Sequence, residues 1–410
     1  MAAGLNRSGR IVTTFAAYLP QKLFSGSPDE RLNPPHVLIF PHRYIQGNGV
    51  IDHLGHYLSV ISSSRPAVLM TEGGKRRFGG RVEKSLSCVG IETCVEIFYG
   101  ECSIEEVERL AGIIRTTEVD SVIAVGGGKC IDAAKCVAFR LGVPVVICPT
   151  IASTDAPCSA VSVMYSPEGV GRGPEFFRNS PALVIVDTGI IAASPIRHLV
   201  AGMGDALATF YEARTCFQNP SGRNMLGARI TIAALALAEL CANTVFEDAH
   251  SAIDAAKRCA VSPSLDRIIE ANTLLSGVGF ESGGLAAAHA MAAGMTAIPV
   301  LRREYLHGEL VAIGLVAHLI LEGELEEARR VARFMAEIGL PVTLQQLRLN
   351  PDDSNSIMEA MAAALNEPFA DNEPFDLTPE KLYSALLEAD RLSKEIVREI
   401  GDAPFRALHL

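Results

Sequence analysis

The stretch Ser121-Val-Ile-Ala-Val125 runs without a break into Gly126-Gly127-Gly128-Lys129 and then into Cys130-Ile-Asp-Ala-Ala-Lys135. A short β-branched run, three glycines and a helical pattern read as a buried strand, a tight turn and a helix. The same alternation extends outward in both directions. Apolar runs recur at Pro66-Ala-Val-Leu-Met-Thr-Glu72, Cys94–Tyr99, Val143–Cys148 and Ala182–Val186, with amphipathic stretches between them. Strands alternating with helices predict a mostly parallel sheet covered on both faces. In Ser103–Ile114, Ser103 with Glu106 three residues on predicts a capped helix start with a capping box.

After Thr188 the strand signal stops. Ser194-Pro195 and Thr378-Pro379 both read as helix openings, with a hydroxyl cap ahead of a proline at the first helical position. The run Ile230–Cys241, broken by Thr231 and Glu239, predicts a helix buried on most sides and too short to cross a bilayer. The expected organisation is an extension over residues 1–34, an α/β nucleotide-binding domain over 35–196 and an all-helical domain over 197–410. Residues 1–28 hold Arg7, Arg10 and Lys22 and no acid. They resemble an organellar transit peptide, or form a disordered extension. The expected location is cytoplasmic, or the mitochondrial matrix if those residues are a leader.

A chain of 410 residues with 49% hydrophobic and 20% charged residues has material for two domains. Its 36 Lys+Arg against 47 Asp+Glu give a formal charge of -11. Such a surface repels phosphate backbones, so neither a nucleic-acid nor a membrane partner is expected. The 10 cysteines include no Cys-x-x-Cys pair, and several sit in apolar runs. They read as reduced, hydrophobic thiols.

Two constellations carry chemistry. Gly127, Gly128 and Lys129 open a helix after a buried strand, where unpaired N–H groups can hold a pyrophosphate. This is not Gly-x-Gly-x-x-Gly, and on residues alone the triplet could be only a tight turn. Glu72, at the end of the Pro66 strand, suits ribose hydroxyls and would repel a 2′-phosphate, which favours NAD over NADP. The neighbouring Lys75, Arg76 and Arg77 pull the other way. The second constellation is Asp205, His289 and His307, each set among small or apolar residues. A buried carboxylate or imidazole needs a partner or a metal. One carboxylate and two imidazoles suit Zn²⁺, with Fe²⁺ as the alternative. Their wide spacing carries no metal signature by itself.

Longer motifs carry a resemblance. The run Pro149–Tyr165, with Gly126–Lys129, Gly202-Met-Gly-Asp-Ala-Leu-Ala208, Gly277–His289 and His307-Gly-Glu309, is similar to the glycerol dehydrogenases of the metal-dependent (iron-type) alcohol dehydrogenase superfamily. The likeness extends from about Arg43 to Thr343. It implies a nucleotide-binding domain and a helical domain enclosing a deep cleft, in a homo-oligomer. It implies Asp205, His289 and His307 as zinc ligands, with the two histidines facing the substrate. Thr150, Ser153, Ser159, Val161 and Tyr165 would line the nicotinamide side, and Asp155 would meet the substrate's hydroxyls. The implied reaction is NAD-linked, zinc-assisted hydride transfer from glycerol or another vicinal diol, giving dihydroxyacetone from glycerol. Rivals are sn-glycerol-1-phosphate dehydrogenase, which needs more cations in the cleft, and a non-catalytic relative. Where the family commonly reads His-Ala-x-His-Asn-Gly, this chain has His289-Ala-Met-Ala292-Ala293-Gly294. It also has Gly308-Glu-Leu-Val311 in place of Gly-Glu-Lys-Val. Both changes remove polar groups, so a shifted substrate range or pH optimum is expected.

Overall fold

Six short strands lie side by side in a computed structural model that describes residues 3–5, 11–13, 18–24, 34–350 and 354–409. They are β1 (Tyr44–Gly47), β2 (Pro66–Met70), β3 (Cys94–Ile97), β4 (Ser121–Gly126), β5 (Val145–Pro149) and, after a hairpin, β8 (Leu183–Asp187). Their spatial order is β1-β8-β5-β4-β2-β3, and every neighbouring pair is parallel. The four inner strands are buried along their whole length, as their unbroken Val/Ile/Leu runs require. Alternate side chains feed two cores. Ala67, Leu69, Val122 and Ala124 face the helices Ile104–Ile114 and α1 (Gly128–Leu141), while Val68, Met70, Ile123 and Val125 face Ile51, Leu54 and Val82.

The hairpin was not legible as strands. It pairs β6 (Val161–Tyr165) antiparallel with β7 (Gly171–Phe176), outside the main sheet. Strand β1 was likewise absent from the expected set. Helix starts differ in detail from expectation. Ser103 does accept the amide of Glu106, at 3.2 Å, but the Glu106 carboxylate takes the amide of Tyr99 and the guanidinium of Arg109. The capping box is therefore only half formed. Ser194 caps nothing, because its hydroxyl donates to the Ile191 carbonyl and Pro195 occupies the cap position itself. Thr378 caps as expected.

From Ile196 onward the described residues form helices and the loops that join them, including α2 (Ile196–Gln218), α3 (Ile232–Lys257), α4 (Ser276–Gly283), α5 (Ala287–Met295), α6 (His307–Leu321) and α7 (Pro379–Ile400). The first turns of α3 correct the reading of Ile230–Cys241 as buried on most sides. Ala234, Ala238 and Cys241 face inward, while Ile232 is 79% and Leu240 51% exposed. Helix α2 packs against α3, α4 and α6 and so forms the centre of the helical layer.

Of the extension, Ala3–Leu5 pairs antiparallel with Ile11–Thr13, and the Gln21 side chain donates to the Met225 carbonyl. The transit-peptide and disorder readings fall largely on residues outside the described ones. Among the described residues, no helix is long and apolar enough to cross a membrane.

Candidate active site

The strand order reverses between β2 and β4, because the chain leaves β2 toward β3 and leaves β4 toward β5. Ligands of open α/β sheets bind at such a switch point, beyond the carboxyl ends of the strands. Here a cavity of about 730 Å³ opens over those ends and is lined by Asn48, Thr71, Gly126, Gly127, Thr150 and Asp187, among others. Gly127 stands at the cap of α1 and supplies no side-chain cap, which leaves the first amides of α1 available to an anion. A Cβ at Gly127 would come within 2.8 Å of Ile151 Cδ1, so the bare backbone is what keeps this approach open. Glu72 lies just past the end of β2, with its side chain 64% exposed and 3.9 Å from Arg76. The Lys129 ammonium does not lie free over the turn. It pairs with Glu101 Oε1 at 2.5 Å and sits 5.9 Å from the centre of the Tyr165 ring.

Beyond β5, residues 150–165 run between sheet and helices and are pinned from both sides. From α1, the buried Lys135 donates to the carbonyls of Ala156 (2.6 Å) and Val161 (2.8 Å) and to the Ser159 hydroxyl (3.1 Å). From the helical side, Asn272 donates to the Ala152 carbonyl, Ser276 to Asp155 Oδ2, and Glu281 accepts the amide of Ala160. The Ser159 hydroxyl therefore points at Lys135 rather than standing free. Thr150 continues the β4–β5 pairing through its amide to the Gly126 carbonyl, and Ser153 is buried. Burial lifts Glu281 to about 7, although the Ala160 amide and Lys135 oppose the rise.

Asp205, His289 and His307 come together. One ligand-type atom from each lies within 4.8 Å of the others, in an arrangement that could hold a metal ion. His289 Nε2 is 3.2 Å and His307 Nε2 3.5 Å from the same oxygen, Asp205 Oδ1. The other oxygen, Asp205 Oδ2, is buried with no hydrogen-bond partner. An orphaned carboxylate oxygen beside two imidazoles fits a divalent cation. The approach depends on close crossing of α2 and α6, since a Cβ at Gly308 would meet the Ala201 carbonyl oxygen at 1.9 Å. His307 opens α6, whose start is fixed by Glu309 accepting the Leu306 amide and the Arg197 guanidinium. Asp155 lies beside the cluster. Burial first, and then the Asp205 charge, push its carboxyl well above the usual range.

Residue reasoning missed Lys135, Asn272, Ser276, Glu281 and Glu212. Glu212 is fully buried and its carboxylate meets His289 Nδ1. The available signal was its position seven residues after Asp205, nearly two turns along one helix face.

The class of protein follows from these features and from comparison with known chains. Residues 41–188 match the family model described as iron-containing alcohol dehydrogenase. A glycerol dehydrogenase of Escherichia coli is 46% identical over 88% of this chain and 99% of its own length. The glycerol dehydrogenase of Thermotoga maritima is 44% identical over 87% and 97%. The chain belongs to the iron-containing alcohol dehydrogenase family. In solved form, the crystal structure of glycerol dehydrogenase from Schizosaccharomyces pombe superposes with a TM-score of 0.83 at 33% identity, covering 89% of this chain and 93% of that one.

Proposed function

We propose that this metal-dependent alcohol dehydrogenase oxidises glycerol to dihydroxyacetone with NAD. The observation that carries the reading is the convergence of Asp205, His289 and His307 beside Asp155, with an unpartnered buried oxygen on Asp205. Asp205, His289 and His307 would hold a divalent metal, zinc or ferrous iron. The turn at Gly127 and Gly128, with Lys129, would hold the pyrophosphate of NAD, and Glu72 its ribose. Thr150, Ser153, Ser159, Val161 and Tyr165 belong to the segment that would line the nicotinamide. When bound, the metal supplies Lewis acidity to the hydroxyl and NAD accepts the hydride.

The chain's own residues do the positioning. Asp155 reaches the substrate's hydroxyls with a carboxyl held by Ser276, and can orient one and take up its proton. Lys135, Asn272 and Glu281 fix the backbone that carries Asp155, so the donor carbon and the acceptor ring meet without a search. On this reading residues 35–196 hold the cofactor and 197–410 the metal. The acidic groups beside the cluster, Asp155 and Glu212, disfavour a phosphorylated substrate such as sn-glycerol-1-phosphate. The exposed Ile232 and Leu240 on α3 suit contact with a second copy in a homo-oligomer.

The test is a panel of glycerol, 1,2-propanediol and 2,3-butanediol assayed with NAD and NADP. Glycerol oxidation with NAD preferred is the expected result. Reduction of neither cofactor by any polyol would refute the reading.

A further inference from the structure

Helix α5, which carries His289, begins without a capping side chain, because Ala286 occupies the cap position. The amides of its opening are nonetheless satisfied, by carboxylates reaching in from elsewhere. Glu212 Oε1 accepts the amides of Ala286 at 2.8 Å and His289 at 2.9 Å, and Glu373 Oε1 accepts that of Ala287 at 3.1 Å. The second Glu212 oxygen, Oε2, is hydrogen-bonded to His289 Nδ1. One buried carboxylate thus grips both the backbone and the ring of a single histidine.

We infer that Glu212 is the positioning residue that fixes His289 for metal binding, a role that rests on the metal reading above. A carboxylate cannot donate, so the imidazole must carry its proton on Nδ1. With Nδ1 committed to Glu212, Nε2 is the nitrogen left to face Asp205 Oδ1 and His307, and a cation bound there would take its lone pair in place of a proton. In the opposite tautomer a lone pair would face Oε2, which buried electrostatics disfavours. Asp205 and Glu212 lie seven residues apart on α2 and reach opposite ring nitrogens of His289, so helix geometry sets the ring's orientation. Glu373 is the natural contrast. It holds the same helix start and pairs with His318 at 2.9 Å, without a hydrogen bond to the His289 ring.

The test is zinc affinity of the chelator-stripped full chain, measured by competition with a chromophoric chelator. Glu212→Gln is expected to weaken zinc binding by about 10–100-fold, the usual cost of losing a partner of a metal-bound histidine. Glu373→Gln is expected to lower thermal stability while keeping zinc affinity within about threefold of wild type. Equal affinity in Glu212→Gln and wild type overturns the inference. So does a parallel loss in both variants, which would make Glu212 only a clamp on α5. A crystal structure of the zinc-loaded wild type tests the same point without any variant. Ligation through Nε2, with Nδ1 still on Glu212, is expected, and ligation through Nδ1 overturns it. A wild-type chain that binds no zinc or iron would fail differently, by removing the metal reading itself.

Discussion

Lys129 Nζ lies 2.5 Å from Glu101 Oε1, beside the glycine turn that opens α1. The Lys129 side chain is 54% exposed, and one carboxylate holds its ammonium where a pyrophosphate would compete for it. Lys129→Ala is expected to raise the KM for NAD about tenfold, or ~1.4 kcal/mol of binding, with a smaller change in kcat. Glu101→Gln should lower that KM, because the cation is then released to the phosphates. Steady-state kinetics with varied NAD checks both signs.

Asp155 is the side chain proposed to meet the reacting hydroxyl. Asp155→Asn keeps the size and a hydrogen bond to Ser276 but removes the ability to take a proton. A fall in kcat of about 10²-fold or more is expected, in the range of general acid–base contributions. Metal content, measured by mass spectrometry, should stay at the wild-type level.

Gly308 sits where α6 crosses α2 closely enough that a methyl group would enter the Ala201 carbonyl. Gly308→Ala is therefore expected to cost about 1–3 kcal/mol of stability. It should also weaken metal binding, because it pushes His307 away from Asp205. Calorimetric melting and zinc titration report the two effects separately.

His318 is fully buried, with Glu373 on Nδ1 at 2.9 Å and Glu322 near Nε2 at 3.6 Å. Burial alone would depress its pKa, but Glu373, Glu322 and Glu212 outweigh that and lift it to about 9. A folded-state value above that of a free imidazole, roughly 6.5, means the native chain binds more protons between those limits. The stabilisation from this group is fully present below pH ~6.5 and is lost as pH rises through about 9. The Tm difference between wild type and His318→Gln should accordingly be large at pH 6 and shrink by pH 9.5.

Ala292 and Ala293 lie three and four residues after His289, within one turn of it along α5. The double variant Ala292→His, Ala293→Asn is expected to change the ranking of glycerol, 1,2-propanediol and 2,3-butanediol by kcat/KM. Identical rankings and pH optima for the two proteins would count against a role for these alanines in substrate choice.

Features written in local sequence were legible. Buried runs such as Ser121–Val125 gave the strands, and the glycines after them gave the turn. The hairpin was not, because Gly171-Arg-Gly-Pro-Glu-Phe176 lacks the β-branched pattern of a strand and bends through Gly173 at a φ of 90°. Ser194 looked like a cap because its neighbours are right, but the helix begins one residue later than that role needs. Asp205, His289 and His307 could be picked out as polar residues in apolar surroundings. Their meeting depends on how α2, α5 and α6 cross, which no spacing rule contains. Glu212 and Lys135 required the helix phase as well. Each looks like an ordinary surface charge until its face is known to be buried.

The most direct measurement is NADH formation from glycerol by protein stripped of metal and then reloaded. Activity is expected to vanish with the metal and to return with stoichiometric Zn²⁺ or Fe²⁺. Full turnover by a chain shown to contain no divalent ion would contradict the assignment of Asp205, His289 and His307.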